Sequence, residues 1–320
     1  MIDVPYPSRQ IAFHQLLAAA RKTWLRDGLA DALRSVQPAT VKEQLADYVP
    51  ADVLQILASA GIRDEYVFPV PAVLEAQPTL IGYYRLLLGV SQKTFYGTGT
   101  GLARFKSMES RGTLNPRQRE QLSELCSEMA KALAELVRQL SPAITKRDID
   151  ELPMLTLGSQ FQGANNVMIG QQAIVDVFLA ISEIVGASIV ERTGQLLRVD
   201  NASGRTVRIG LAADPDVRIE EEFGDDVHRK VAIEVKGGTD RSNAHNRAGE
   251  AEKSHQKARA AGFREFWTII ALKGVDVTKL RGESPTTNSW FDAAQVLGRD
   301  GPAWEDFRTR VAGVVGIPLS

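Results

Sequence analysis

The chain has 320 residues, with 38 Lys and Arg against 39 Asp and Glu, a net charge of −1 when the four His are neutral. At 44% apolar and 24% charged residues it has the composition of a folded globular protein, which excludes a disordered or fibrous chain. A single cysteine, Cys126, excludes a disulfide framework and a Cys-rich zinc site and fits a reducing compartment. No run approaches 18 consecutive apolar residues, and MIDVPYPSRQ lacks the basic and apolar regions of a secretion signal, so the expectation is a cytoplasmic protein. Charge is even along the chain: residues 1–160 hold 18 basic and 17 acidic residues, and residues 161–320 hold 20 and 22. That argues against binding nucleic acid through bulk positive charge and leaves room for a local basic groove.

The first 150 residues read as helices separated by Pro and Gly. Apolar residues recur at helical spacing from Ser8 to Leu33, from Pro50 to Ala60 and from Leu80 to Val90. The clearest helix runs from Asn115 to Leu140, with Asn115 as N-cap, Pro116 in the first turn and a stripe of Leu122, Leu125, Met129, Leu133, Leu136 and Leu140. Gly97, Gly99 and Gly101 lack the Lys and Ser/Thr of a phosphate loop and no apolar strand precedes them, so they read as a flexible connection.

After residue 155 the pattern changes. A long apolar helix is predicted from Gln171 to Glu191, expected to be buried. Short strands follow at Gln195 to Val199 and Arg205 to Ile209, joined by a hairpin turn at Asn201 to Gly204. A third strand, Asp216 to Ile219, leads through an acidic loop, EEEFGDD, into Arg229 to Lys236. A helix from Asn246 to Ala261 and a buried strand from Glu265 to Leu272 complete a strand–helix–strand crossover, which requires a parallel pair in a mixed sheet. The expected organisation is therefore a helical region over 1–150 and an α/β domain over 151–320. Trp290, Phe291, Trp304 and Phe307 read as packing and dimer surface rather than base-stacking groups.

The strand Arg229 to Lys236 carries the chemistry. Alternation puts Val231, Ile233 and Val235 on one face and Ala232, Glu234 and Lys236 on the other, just before Gly237 and Gly238 end the strand. If the preceding strand pairs with it, Asp216 comes beside Glu234. Two carboxylates that close repel, and a shared proton or a divalent cation resolves the repulsion. Carboxylate and carbonyl oxygens suit Mg²⁺, and Lys236 beside it could hold or help deprotonate a water and offset charge on a phosphate. An acid-x-Lys triplet alone is a weak signal, because such a pair on an exposed strand is usually just solvated. The next segment strengthens it. From Lys236 to Arg264 there are seven basic residues and three acidic ones, with His245 and His255 besides. Asn243, Asn246 and Arg247 there have side chains suited to base edges. The four His show no metal-ligand spacing, and no GxSxG surrounds a serine.

The run VAIEVKGGTDRSNAHNRAGEAEKSHQKARAAGF, preceded by DPDVRI, resembles the XcyI family of type II restriction endonucleases, within the wider PD-(D/E)xK nuclease superfamily. A weaker likeness extends upstream to GSQFQGANNVMIGQQAIVDVF. The resemblance covers about a third of the chain, in its C-terminal half. It implies an α/β core of mixed β-sheet flanked by helices. The helical N-terminal region, which the resemblance does not reach, is expected to clamp DNA, to make a dimer, or both. It implies that Asp216 and Glu234 bind Mg²⁺ with the carbonyl of Val235, and that Lys236 serves the attacking water. Both strands of duplex DNA would be hydrolysed, leaving 5′-phosphate ends, and members similar to XcyI recognise CCCGGG and cut after the first C. A palindromic site calls for a homodimer, and a restriction system for a cognate DNA methyltransferase. Asp214 lies near the site, with Asp216 preferred because it follows Pro. Glu183, and more weakly Asp176, are candidates for a further acid. The expected DNA contacts are Arg241, Asn243, Asn246, Arg247 and Lys253, with Gln160, Gln162, Asn165 and Asn166 as a second polar cluster. Rival readings are a non-catalytic DNA-binding protein with a nuclease-like fold, and a repair or RNA nuclease of the same superfamily.

Overall fold

The computed structural model describes residues 7–237, 244–272 and 275–319. The chain divides into two compact units, residues 1–163 and 164–320. The first unit is helical: α1 (Ser8–Thr23), α2 (Arg26–Ser35), α3 (Pro38–Tyr48), α4 (Ala51–Ser59), α5 (Pro71–Ala76), α6 (Ile81–Leu87), α7 (Gln92–Phe95), α8 (Lys106–Arg111), α9 (Pro116–Glu120) and α10 (Leu122–Leu140). The expected helix over 115–140 is two helices, broken at Gln121. Asn115 does cap the first of them, in a capping box with Gln118. In α10 the apolar stripe sinks Leu122, Leu125, Met129 and Leu133 into a core with Leu57, Phe68, Leu74 and Tyr84. Inside this unit the buried Arg85 grips Glu109 through two nitrogens, at 3.0 and 2.8 Å. The glycine run forms a turn in which the Thr100 hydroxyl donates to the carbonyls of Phe95 and Gly97.

The helix α11 (Lys146–Ile184) is 39 residues long and crosses the division between the units. It starts 25 residues earlier than expected and ends seven sooner. By length and composition it could cross a membrane, yet its C-terminal part packs into the protein core through Ala173, Val177, Phe178, Ala180, Ile181 and Val185. The buried helix expected from the sequence is thus confined to residues 173–184; Val167, Met168 and Ile169 are exposed.

The second unit is built on a seven-stranded mixed sheet: β1 (Ile189–Arg192), β2 (Leu196–Asp200), β3 (Thr206–Leu211), β4 (Val217–Phe223), β5 (Asp226–Lys236), β6 (Glu265–Ile270) and β7 (Ser289–Asp292). The strands lie in chain order; the first five are antiparallel, and β5, β6 and β7 run parallel. The helices α12 (Ala244–Ala260) and α13 (Val277–Glu283) join the parallel strands, and α14 (Ala293–Gly298) and α15 (Pro302–Val315) follow β7. Because side chains alternate along β5, its two faces meet different helices. Val231, Ile233 and Val235 join the core with α11, α14 and α15, whereas Ala232 packs with Ala258, Phe263 and Phe266 on the α12 side. Trp304, Phe307 and Phe291 are packing residues, with the Phe291 and Phe307 rings edge to face at 5.1 Å.

Two strands lie outside the expected pattern, and one acidic loop is not a loop. β1 begins where the end of a helix is expected, and β7 has no counterpart among the expected strands. Most of the EEEFGDD segment is strand: Glu220 and Glu221 are buried in β4, with Glu221 paired to Arg205 at 2.7 Å and Lys230 at 3.1 Å.

Candidate active site

The site forms where β4 begins and β5 ends. In the antiparallel register the last pair is Val217 with Ile233, and Asp216 stands just before β4, beside the end of β5 that carries Glu234. The Val235 N–H donates to Oδ2 of Asp216, at 2.8 Å, which fixes that carboxylate over the strand end. A residue's N–H and C=O point to the same side of a strand, so the Val235 carbonyl also faces the Asp216 side.

From the α12 face of β5, Glu234 and Lys236 stand two residues apart. The Lys236 ammonium donates to Oε2 of Glu234 at 2.9 Å. Glu234 is only 2% exposed, and the Lys236 side chain 19%. Burial pushes the Asp216 carboxyl above its ordinary range, with the charge of Asp214 adding to it and the Val235 N–H opposing. Burial raises Glu234 as well, and the charge of Asp216 is the next cause. For Lys236 burial favours the neutral amine, but Glu234, Asp216 and Glu250 together outweigh it and hold the ammonium protonated more firmly than usual. When both acids are ionised, two acids against one buried base leave the cluster one negative charge in excess. Two carboxylates and a carbonyl are hard oxygen donors, too few to enclose an ion, which suits a Mg²⁺-sized cation that keeps several waters. Among the described residues no group of three or more His, Cys, Asp or Glu side chains is placed to hold a metal, so a fully protein-ligated zinc site is not supported.

Helix α12 completes the surroundings. Lys257 donates to Oδ2 of Asp214 at 2.8 Å, which draws that acid into an ion pair beside the site. The helix is anchored by a buried carboxylate: Glu252 accepts from the Ser284 hydroxyl at 2.9 Å and from the Thr286 N–H and hydroxyl at 3.0 and 2.6 Å. His255 is fully buried against Thr268 of β6, its Nε2 2.9 Å from Oγ1, and desolvation lowers its pKa to about 4. The sequence pattern does not announce these roles of Lys257, Glu252 and His255. The i,i+3 spacing of Glu252 and His255 on an otherwise apolar face was the available signal.

The predicted residues separate clearly. Asp216, Glu234, Val235 and Lys236 come together. Glu183 does not join them: it lies on α11, which packs on the opposite face of the sheet from Glu234, and Arg299 grips it at 3.1 and 3.0 Å. Asp176, on the same helix, accepts from Gln172. Of the expected DNA contacts, Arg241 and Asn243 lie outside the described residues. Asn246 and Lys253 are exposed on α12 and Arg247 is half-buried there. In the polar cluster, Gln160 accepts from Arg85 at 2.8 Å inside the helical unit and Asn165 is buried, while Gln162 and Asn166 are exposed.

The model of the XcyI restriction endonuclease family matches residues 14–318. The type II restriction enzyme Cfr9I of Citrobacter freundii is 42% identical over 320 residues, covering 99% of this chain and 97% of that protein. The type II restriction enzyme XcyI of Xanthomonas campestris pv. cyanopsidis is 43% identical over 321 residues, covering 99% and 96%. The likeness thus extends through the N-terminal helices that the sequence motifs left unplaced, and the chain belongs to the XcyI restriction endonuclease family.

Proposed function

We propose that this restriction endonuclease hydrolyses phosphodiester bonds in duplex DNA at a palindromic site, with Mg²⁺ held by Asp216, Glu234 and the Val235 carbonyl. The observation that carries the reading is the placing of two buried acids together beside a lysine, with burial raising both and the charge of Asp216 raising Glu234 further. Such a pair is costly to ionise without a cation, and a divalent ion balances it. The ion would supply Lewis-acid polarisation of the scissile phosphate and would lower the pKa of a water.

The protein's own groups do the rest. The Val235 N–H holds Asp216 through Oδ2, and Glu234 is held by Lys236 from the same strand. Lys236, kept as an ammonium by its acidic neighbours, orients a water and offsets the charge that grows on the phosphate, rather than taking the water's proton. Attack in line with the leaving 3′ oxygen leaves the phosphate on the 5′ side. A palindromic site fits two copies of the chain related by a two-fold axis, each with one site. The recognition sequence carried over from the family is CCCGGG, cut after the first C, and a host methyltransferase would protect that site. Digestion of plasmid DNA with Mg²⁺, followed by sequencing of the product ends, tests this. Four-base 5′ extensions ending in phosphate at CCCGGG are expected; ends at another sequence would overturn the site, and ladders without fixed ends would overturn site-specific cleavage.

A further inference from the structure

The sheet face that carries Glu234 and Lys236 does not stop at β5. Arg218 pairs with Ala232, so its side chain shares that face. The register carries the face outward: Gly210 of β3 is opposite Arg218, Arg208 is opposite Glu220, and Arg198 of β2 is opposite Arg208. Helix α12 covers this side over β5 and β6, with Ala258 packed on Ala232 and His255 on Thr268. Beyond β5 the side chains of Arg218, Arg208 and Arg198 are 45%, 35% and 40% exposed. A Cβ on Gly210 would stand 3.6 Å from Nε of Arg218, so that side chain lies across β3 near the start of β4. Arg218 follows Asp216 by two residues, about 7 Å along a strand.

The arginines of this face are held loosely. Nε of Arg218 is 3.7 Å from Glu220 and Nε of Arg208 is 3.4 Å from Glu222, while Arg198 stands 3.6 Å from Glu222 and 3.5 Å from Glu191. Charge-assisted hydrogen bonds close to about 2.7–2.9 Å, so these acids do not use up the guanidinium forks. The buried Nε of Arg208 has no hydrogen-bond partner among the described residues. With Arg229, 3.6 Å from Glu220, four arginines share three glutamates in these pairs. Arg198 directly opposite Arg208 is a like-charge pair, which costs the sheet stability. A face that keeps guanidinium groups half free in this way is complementary to phosphates. Its continuity with the catalytic acids says which phosphates. Along each strand of a duplex they advance by about 3.4 Å, so one held at Asp216 and Glu234 sets its neighbours within reach of Arg218.

We propose that the open face of β2, β3 and β4 carries the backbone of the bound duplex, with the Arg218 guanidinium on a phosphate next to the scissile one and Arg208 on a phosphate further out. The assignment rests on the proposed nuclease site, since the scissile phosphate at Asp216, Glu234 and Lys236 brings the duplex to this face. Arg218→Met and Arg208→Met keep most of the apolar stem and remove the charge; Arg218→Lys keeps the charge. Binding to the proper site and to an unrelated duplex is measured by fluorescence anisotropy in Ca²⁺ over a range of salt, with sedimentation and thermal unfolding alongside. Each Met variant should weaken binding to both duplexes alike, by roughly tenfold at about 0.1 M salt for each copy bound. The slope of log affinity against log salt should fall by about 0.9 for each copy, and Arg218→Lys should keep the slope of the unaltered protein. If Arg218→Met does not fold, Arg208→Met carries the same test. Unchanged affinity and slope in a folded Met variant overturn the proposal. So does a loss confined to one base-pair position with the slope intact, which would make the arginine a base reader. A changed oligomeric state with the salt dependence intact also overturns it and assigns the face to a second copy of the chain. Retained cleavage in Glu234→Ala would instead overturn the catalytic reading, while the salt slopes in Ca²⁺ would still report on this face.

Discussion

Each unit of the molecule buries carboxylates against a cation, and the two clusters are built to opposite ends. In the helical unit, Glu109 receives Arg85 through two nitrogens, the Gln92 amide at 2.6 Å and the Tyr96 hydroxyl at 2.8 Å. Burial alone would raise its pKa, but the guanidinium and the hydrogen bonds prevail and hold it below the ordinary value. Arg85 in turn donates to the Val90 carbonyl and to Gln160. One charge meets one charge, and the donors are used. At the end of β5, two acids meet one lysine, and both acids are pushed upward. A balanced buried pair specifies a fold; an unbalanced one sets aside free energy for a ligand.

The contrast can be broken first at Lys236. Lys236→Met should cut the rate of DNA cleavage by about 10²–10⁴-fold, because charge developing on the phosphate loses its nearest cation. Divalent-ion binding, followed by calorimetry with Mn²⁺, should be retained or tightened, since the acids lose a competitor; weakened binding would count against the assignment. In the helical unit, Arg85→Met should destabilise the fold by about 3–5 kcal/mol in urea unfolding, because it strands Glu109 in the interior. Loss of less than about 1 kcal/mol would show that water reaches this cluster.

The pH dependence should separate the two by sign. For Glu109, with its folded-state pKa lowered, the stabilisation is present above the unfolded carboxylate pKa and is lost as pH falls through the folded value. For Asp216 and Glu234, with raised values, the stabilisation is present below the unfolded pKa and is lost as pH rises through the folded ones. In EDTA, the double change Asp216→Asn with Glu234→Gln should therefore raise stability at neutral pH relative to the unaltered chain and have little effect in acid. A double variant less stable at neutral pH would contradict the charge imbalance. The smallest effect is expected at Glu183. Its pair with Arg299 is more than half exposed on the carboxylate side, so Glu183→Ala should change cleavage less than about threefold, and a large loss would return this acid to the site.

Much of the catalytic half is legible in the sequence because β5 is long and its two faces meet different surroundings. The alternation of Val231, Ile233 and Val235 with Glu234 and Lys236 announces both the strand and the facing of its acids. Pro215 before Asp216 marks where the ladder stops. The missed strands β1 and β7 have four residues each, too short for a period-two pattern to register. The beginning of α11 was hidden by Pro153 and three glycines at 158, 163 and 170, each of weak helix propensity, which the fold overrides. The partners of the site were hidden by distance along the chain. Lys257 reaches Asp214 across 43 positions, and Glu252 reaches Thr286 across 34, and no local pattern encodes either. Glu183 misled because a polar residue on a helix before the strands looks like a further ligand, while its face of the sheet is fixed only by tertiary packing.

The pairing of Asp216 with Glu234 around a divalent ion is tested most directly by incubating supercoiled plasmid with the unaltered protein, Asp216→Ala and Glu234→Ala across a Mg²⁺ titration, with gel shifts of the same DNA in Ca²⁺. The unaltered protein should cut to discrete fragments only when Mg²⁺ is present. Each variant should lose at least about 10³-fold in rate at saturating Mg²⁺ while still binding DNA. Cleavage by either variant at the unaltered rate, or by the unaltered protein in EDTA, would contradict the account.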